Sequence, residues 1–387
     1  MLHAGKNYVI LFFCDILEQG TGNCFMNKTI QQKERALIFG VIFKKDEDLD
    51  YQFAELKSLA TTAGVEVVGQ DFQLVRQITP ATLIGSGKVE ELKQTVEQQS
   101  IDVVIFDHQL SASQTRNLTN QLGVKVIDRI TLILDIFAQR ATTNEGKLQV
   151  ALAQAKYVLP RLAQIQGTSG RFGSGGVGSR GPGETKLESD KRAIERNIQA
   201  LEKQLKEIQR QREIKNQSRQ KTHKTNVAIV GYTNAGKSTL LNLISKANIY
   251  ADDKLFATLE TTSRHVWLDV GKEIILTDTV GFISKLPHDL VHAFKSTLDE
   301  AKYADVILHV IDASNPHMEE QIEVVEQVLE ELQIRAPIIK VYNKCDKIHI
   351  APKMDEQSVC ISAKLNRGID QLKQMICNVI DQIKKQA

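Results

Sequence analysis

Gly231-Tyr232-Thr233-Asn234-Ala235-Gly236-Lys237-Ser238 fits G-x-x-x-x-G-K-[ST] at every fixed position. Glycines in such a loop let successive backbone N–H groups wrap a phosphate, and the helix that follows adds its N-terminus. Lys237 is placed to reach the β- and γ-phosphates and Ser238 to ligate magnesium, with Thr239 next in the nucleotide-binding run. Three more segments follow in order. Asp278-Thr279-Val280-Gly281 would hold magnesium through water at Asp278 and meet the γ-phosphate with the Gly281 N–H. Asn343-Lys344-Cys345-Asp346 ends on a carboxylate that can accept from both N1–H and the N2 amine of guanine. Adenine lacks that pair, so Asp346 selects GTP over ATP by leaving a buried carboxylate unpaired with the wrong base. Ser362-Ala363-Lys364 is suited to close over the base edge. A sensing hydroxyl must lie between Ser238 and Asp278, where Phe256–Thr262 is the threonine-rich stretch; Thr258 is the first choice, also as a magnesium ligand, and Thr262 the second. Lys237, Thr258 and Gly281 are therefore the expected catalytic groups. Phe282 stands where a Ras-like enzyme has a glutamine to orient the attacking water, so unaided hydrolysis should be slow.

Each motif needs a strand end to present it. Val227–Val230, Glu273–Thr277, Ile338–Tyr342 and Val359–Ile361 are apolar runs that stop at the four segments, and Thr239–Ile244 has helical character. Residues 225–387 therefore read as one P-loop domain with a mostly parallel, doubly wound sheet. Upstream, strand-like Ala36–Phe43, Val103–Asp107 and Val124–Ile127 alternate with helix-like Asp50–Ala63, Lys88–Gln99 and Ser111–Leu122. That pattern implies a small parallel α/β domain over 34–140. Residues 1–33 are unlike the rest and read as an extension of uncertain order, with Met26 an alternative start.

Between the two domains, Leu148, Leu152, Ala155, Leu159 and Leu162 step by four and three, as do Ile194, Ile198, Leu201, Leu205 and Ile208. Two antiparallel helices with facing seams are expected over 141–224, the second spanning Leu187–Ile214, with Pro160 kinking or ending the first. The glycine-rich stretch 167–183 forms their tip. Charge is uneven: 167–224 holds 14 Lys and Arg against 7 acidic residues, a net +7 that leaves −5 for the rest of a chain whose total is +2. A wholly basic nucleic-acid coat is excluded, but Arg171 and Arg180 on a glycine-rich tip suit contact with RNA phosphates. Five cysteines without C-x-x-C spacing argue for reduced thiols and against a disulfide framework or zinc ribbon. The apolar run Tyr8–Cys14 is far too short to span a bilayer. The histidines show no metal-cluster spacing.

The four motifs resemble those of TRAFAC-class translation-factor-like GTPases. Ile84–Leu92, Asp128–Arg140, Phe256–Leu259, Asp278–Ile283 and above all Gly175-Gly-Val-Gly-Ser-Arg-Gly-Pro-Gly-Glu-Thr-Lys-Leu-Glu188 resemble the HflX family, GTPases that associate with and split ribosomes. The resemblance runs from about Arg35 to the end. It implies Mg²⁺ as cofactor with GTP as substrate and GDP as product. It further implies a monomeric cytoplasmic protein without stable membrane insertion, at most partly membrane-associated. The partners it implies are the large (50S) ribosomal subunit and its 23S rRNA, with the hairpin loop reaching the peptidyl-transferase region. Two departures stand out. Glu260-Thr261-Thr262 replaces the usual Asp-Pro-Thr after Phe-Ala-Thr-Leu, and Gly85-Ser-Gly87-Lys88 lacks the first glycine of a second P-loop, so it reads as a turn before a helix. Three rival readings remain open on residues alone: a regulator or scaffold of a non-ribosomal protein, an RNA-modification GTPase, and a P-loop small-molecule kinase.

Overall fold

Strand β1 (Arg35–Ile42) is buried at every residue after Arg35, the signature of a central strand covered on both faces. The computed structural model describes residues 33–43, 48–166, 182–220, 225–245, 255–256, 261–268, 272–284, 301–350 and 352–386. In it β1 pairs in parallel with β2 (Glu66–Leu74) and β3 (Val103–Phe106), and β3 with β4 (Lys125–Asp128), giving the order β2-β1-β3-β4. Helices α1 (Leu49–Thr62), α2 (Ser86–Gln99), α3 (Ala112–Leu122) and α4 (Arg129–Arg140) accompany this sheet. Leu37, Phe39 and Val41 share a core with Leu92 and Val96 of α2 and Leu118 of α3. A capping box between Ser111 and Gln114 starts α3, and Gly123 at φ 70° ends it. Gly85 is the N-cap of α2, and Lys88 pairs with Asp71 at 2.9 Å, so the glycine-lysine stretch is a helix start, as its sequence suggests.

Contacts divide the chain into two compact units, residues 1–139 with 150–203, and 140–149 with 204–387. The long helices α5 (Asn144–Gln166) and α6 (Pro182–Gln220) contribute to both. On α6 the seam is as the spacing predicts: Ile194, Ile198, Leu201, Leu205 and Ile208 are buried or half-buried amid exposed neighbours. The helix is longer than expected, 39 residues, or about 58 Å at 1.5 Å per residue. Pro160 does not end α5. Arg161 folds back to donate to the Tyr157 carbonyl at 2.9 Å and lies over the Tyr157 ring at 3.4 Å, bracing that turn from the side. Tyr157 in turn donates to Asp128 at 2.5 Å, tying α5 to the end of β4.

The second unit carries a six-stranded sheet in the order β10-β9-β8-β5-β7-β6. Its strands are β5 (Thr225–Gly231), β6 (Thr262–Leu268), β7 (Lys272–Asp278), β8 (Val306–Asp312), β9 (Ile338–Asn343) and β10 (Ser358–Cys360). All pairings are parallel except β6 with β7. Helices α7 (Lys237–Ser245) and α9 (Ile369–Gln386) pack on one face through Leu240, Leu241, Leu372 and Ile376. Helix α8 (Met318–Glu331) packs on the other through Val325 and Leu329. Parallel strands all end at one edge, and that is where the motif loops leave the sheet.

Candidate nucleotide-binding site

The loop between β5 and α7 has a shape only glycine allows at two points. Gly231 (φ 153°) runs so close to β8 that a Cβ would overlap the Val310 carbonyl, and a Cβ on Gly236 (φ 96°) would overlap Asn343 Nδ2. Asn234 supplies a left-handed turn at φ 59°. Lys237 opens α7 and bends back over the loop, its Nζ donating to the carbonyls of Gly231 (3.1 Å) and Tyr232 (2.8 Å). Burial pushes its ammonium down to about 8, partly offset by the charge of Asp278. A phosphate brought to this lysine would favour the charged form again. Ala235 and Thr233 are buried, Thr239 is half-buried one residue past Ser238, and Thr233 Oγ1 has no hydrogen-bond partner among the described residues.

Strand β7 ends on Asp278, whose Oδ2 accepts from Ser238 Oγ at 2.7 Å. Two hard oxygen donors thus face each other beside the lysine, the ligand type that magnesium takes. Thr279 turns inward, donating to the Ile229 carbonyl at 2.8 Å, and Val280 is buried behind it. Gly281 lies against the lysine: a Cβ there would stand 2.9 Å from both Lys237 Nζ and Thr233 Cγ2. Phe282 points away from the site into the core with Val230, Ala301 and Val325, so it cannot orient a water there. Its backbone is zipped to the phosphate loop, with Thr233 N to Phe282 O at 2.7 Å and Phe282 N to Gly231 O at 3.1 Å. The Tyr232 hydroxyl adds a third tie by accepting from Ser284 N at 2.7 Å.

The far side of the site is built by β9 and β10. Asn343 is buried and divides its amide between two loops, Nδ2 donating to Ala235 O (2.8 Å) and Oδ1 accepting from Ala363 N (3.0 Å). Lys344 adopts φ 61° and starts a 3-10 turn, Cys345–Lys347, that carries Asp346. Lys344 Nζ donates to Asp312 Oδ2 at 2.6 Å, while Asp312 Oδ1 accepts from Ser314 N (3.0 Å) and Ser314 Oγ (2.6 Å). The Ser362 hydroxyl holds the Asp346 carboxyl below the usual carboxylate range, and Ser362 Oγ accepts from Leu365 N at 3.2 Å. Lys364 is exposed beside it.

The four motif segments therefore meet along one sheet edge. Thr262 begins β6 directly opposite Asp278, whereas Thr258 and the tip arginines Arg171 and Arg180 lie outside the described residues. Sequence reading missed Asp312, Ser284 and the hydroxyl of Tyr232. Asp312 had a signal, an acid that closes a strand apolar but for His309; the Tyr232–Ser284 tie had none. His309, at the centre of β8, is buried and pushed down to about 3, mainly by burial and then by Lys340 and Lys237, so it stays neutral. Among the described residues no cluster of His, Cys, Asp and Glu could hold a metal by itself, and no helix is long and apolar enough to cross a membrane.

Three family models match consecutive stretches: GTP-binding GTPase N-terminal over residues 50–138, GTP-binding GTPase Middle Region over 140–219, and 50S ribosome-binding GTPase over 226–344. The GTPase HflX of Caldanaerobacter subterraneus subsp. tengcongensis is 52% identical over 356 residues, 92% of this chain and 82% of that one. This chain belongs to the HflX family of GTPases. The GTPase HflX of Escherichia coli K12 is 44% identical over 353 residues, covering 89% of this chain and 82% of the relative. A crystal structure described as the SsGBP and GDP complex shares 26% identity at a TM-score of 0.51, covering 90% of this chain and 99% of that one. An HflX-type GTPase accounts for every motif loop at the sheet edge, and the kinase alternative leaves the Asn343–Asp346 turn unexplained.

Proposed function

We propose that this GTPase binds the large ribosomal subunit in its GTP state, contacts 23S rRNA through the glycine-rich tip with Arg171 and Arg180, and separates stalled or idle 70S ribosomes under stress. The proposed layout is an α/β domain over 34–140, a helical hairpin over 141–224 and the GTPase domain over 225–387. The observation that carries the nucleotide part is Asn343, which joins the phosphate loop at Ala235 to the base loop at Ala363 in one buried amide.

In this reading Gly231–Thr239 cradle the phosphates, with Lys237 leaving the Gly231 and Tyr232 carbonyls to neutralise the β- and γ-oxygens. Magnesium would be held by Ser238, by Asp278 through water and by Thr258, and it would offset charge on the β- and γ-phosphates. Asp346 accepts from guanine, with Ser362, Ala363 and Lys364 closing over the base. Gly281 donates its N–H to the γ-phosphate, and hydrolysis releases the γ-phosphate contacts and lets the protein leave the ribosome, an order–disorder switch. Because Phe282 is turned into the core, water positioning comes from elsewhere, and turnover is slow until the ribosome supplies it. Ribosome pelleting with a non-hydrolysable GTP analogue or GDP, followed by gradient analysis of 70S particles, tests this. The expectation is tight binding and splitting only in the GTP state. Equal affinity in both states would overturn the proposal.

A further inference from the structure

Two thiols meet behind the guanine side of the site. Cys345 is the third residue of the Asn343–Asp346 turn, and Cys360 ends β10 two residues before Ser362. Across the sheet Cys360 pairs in register with Tyr342, and the Cys345 Sγ donates to the Tyr342 carbonyl at 3.1 Å. The backbone fastens both loops to the same place, with Ile361 N to Tyr342 O at 2.7 Å and Cys345 N to Ile361 O at 3.1 Å. Cys345 Sγ and the strand residue opposite Tyr342 are thereby gathered at one carbonyl, where Cys360 lies near enough to raise the Cys345 thiol. Neither forms a disulfide, and neither is fully buried.

We propose that Cys345 and Cys360 form an oxidisable dithiol site that takes small-molecule disulfides and, once linked, weakens guanine-nucleotide binding. The chemistry balances. The Cys360 thiolate attacks one sulfur of a disulfide RSSR and expels RS⁻, which takes up a proton. Cys345 then gives up its proton, attacks the Cys360 sulfur and expels the second RS⁻. The sum is two cysteine thiols and RSSR giving one protein disulfide and two RSH. Burial, together with the nearby Cys360, pushes the Cys345 thiol up to about 12, which suits the resolving role rather than the attacking one. A sulfur–sulfur bond is only about 2.05 Å long, much shorter than any non-bonded approach of two thiols. Forming it draws the 3-10 turn Cys345–Lys347 toward β10 and carries Asp346 with it.

This inference goes beyond the proposed function and rests on it only in that Asp346 meets guanine. The test is to expose the full chain to glutathione disulfide, map peptides after alkylation without reduction, and titrate a fluorescent GTP analogue before and after dithiothreitol. The expected result is a Cys345–Cys360 linked peptide with affinity lowered about tenfold, the loss of one charge-assisted hydrogen bond. Dithiothreitol restores the affinity, and Cys360→Ser binds as the reduced chain does in all conditions. Glutathione retained on one cysteine without a link, or a linked chain that binds as tightly as the reduced one, would overturn the proposal. A link that forms in a chain with no GTP affinity when reduced would instead sink the assignment of the guanine site, because the peptide map reads the link by itself.

Discussion

Replacing Asp312 by Asn tests whether the base loop is held from the neighbouring strand. The carboxylate sits at the end of β8, takes two hydrogen bonds from Ser314 and one from Lys344 at 2.6 Å, and its side chain is 15% exposed against 22% for Lys344. An amide of the same shape keeps an acceptor for Ser314 but loses the charge that fixes the lysine. A hydrogen bond to a charged group contributes about 1.5–3 kcal/mol. Partial exposure reduces that to about 1–2 kcal/mol, equivalent to roughly 5- to 30-fold in affinity. Lys344 is the left-handed residue from which the Asp346 turn departs, so the loss should fall on the base and weaken GTP and GDP alike. Fluorescence titration with both nucleotides measures it, and turnover at saturating GTP should hold. An affinity unchanged within about twofold, or a loss confined to GTP, would refute the reasoning.

Three further outcomes are expected. Asp346 has a carboxyl held low by Ser362, so its contribution to GTP binding is complete above the ordinary carboxylate range and is lost as pH falls through the depressed value. Ser362→Ala should move that loss to higher pH in a titration of affinity against pH. Gly236→Ala puts a methyl into Asn343 at φ 96°, and should abolish calorimetric GTP binding and lower unfolding stability by about 2 kcal/mol or more. Tyr232→Phe removes the acceptor for Ser284 N, and a lost hydrogen bond of about 1 kcal/mol should speed exchange of that amide roughly fivefold by NMR.

Much of the nucleotide site was legible because its residues are contiguous and sit where apolar strands stop. β5, β7 and β9 were each located to within about two residues by hydrophobic runs alone, since central strands bury both faces; the short edge strand β10 was located too, because two of its three residues are buried. Two of the edge strands were not. β2, reading Glu-Val-Val-Gly-Gln-Asp-Phe-Gln-Leu, has no fully buried residue, and β6 buries only Val266 and Leu268, so neither shows a continuous run. Helix α4 escaped for the opposite reason: eight of its 12 residues are buried, leaving little polar face to mark a period. The Lys344–Asp312 pair joins residues 32 apart, and no local pattern announces such a contact.

Asn343 has a consequence for how such a site can diverge. Because its single carboxamide braces the Gly231–Ser238 loop with one atom and the Ser362–Lys364 loop with the other, the proposed site would grasp the two halves of its nucleotide with one rigid body. A change at Asn343 itself would slacken both halves together. Tuning one half alone would have to come from outside that brace, through the Lys344–Asp312 pair on one side or the Tyr232–Ser284 tie on the other.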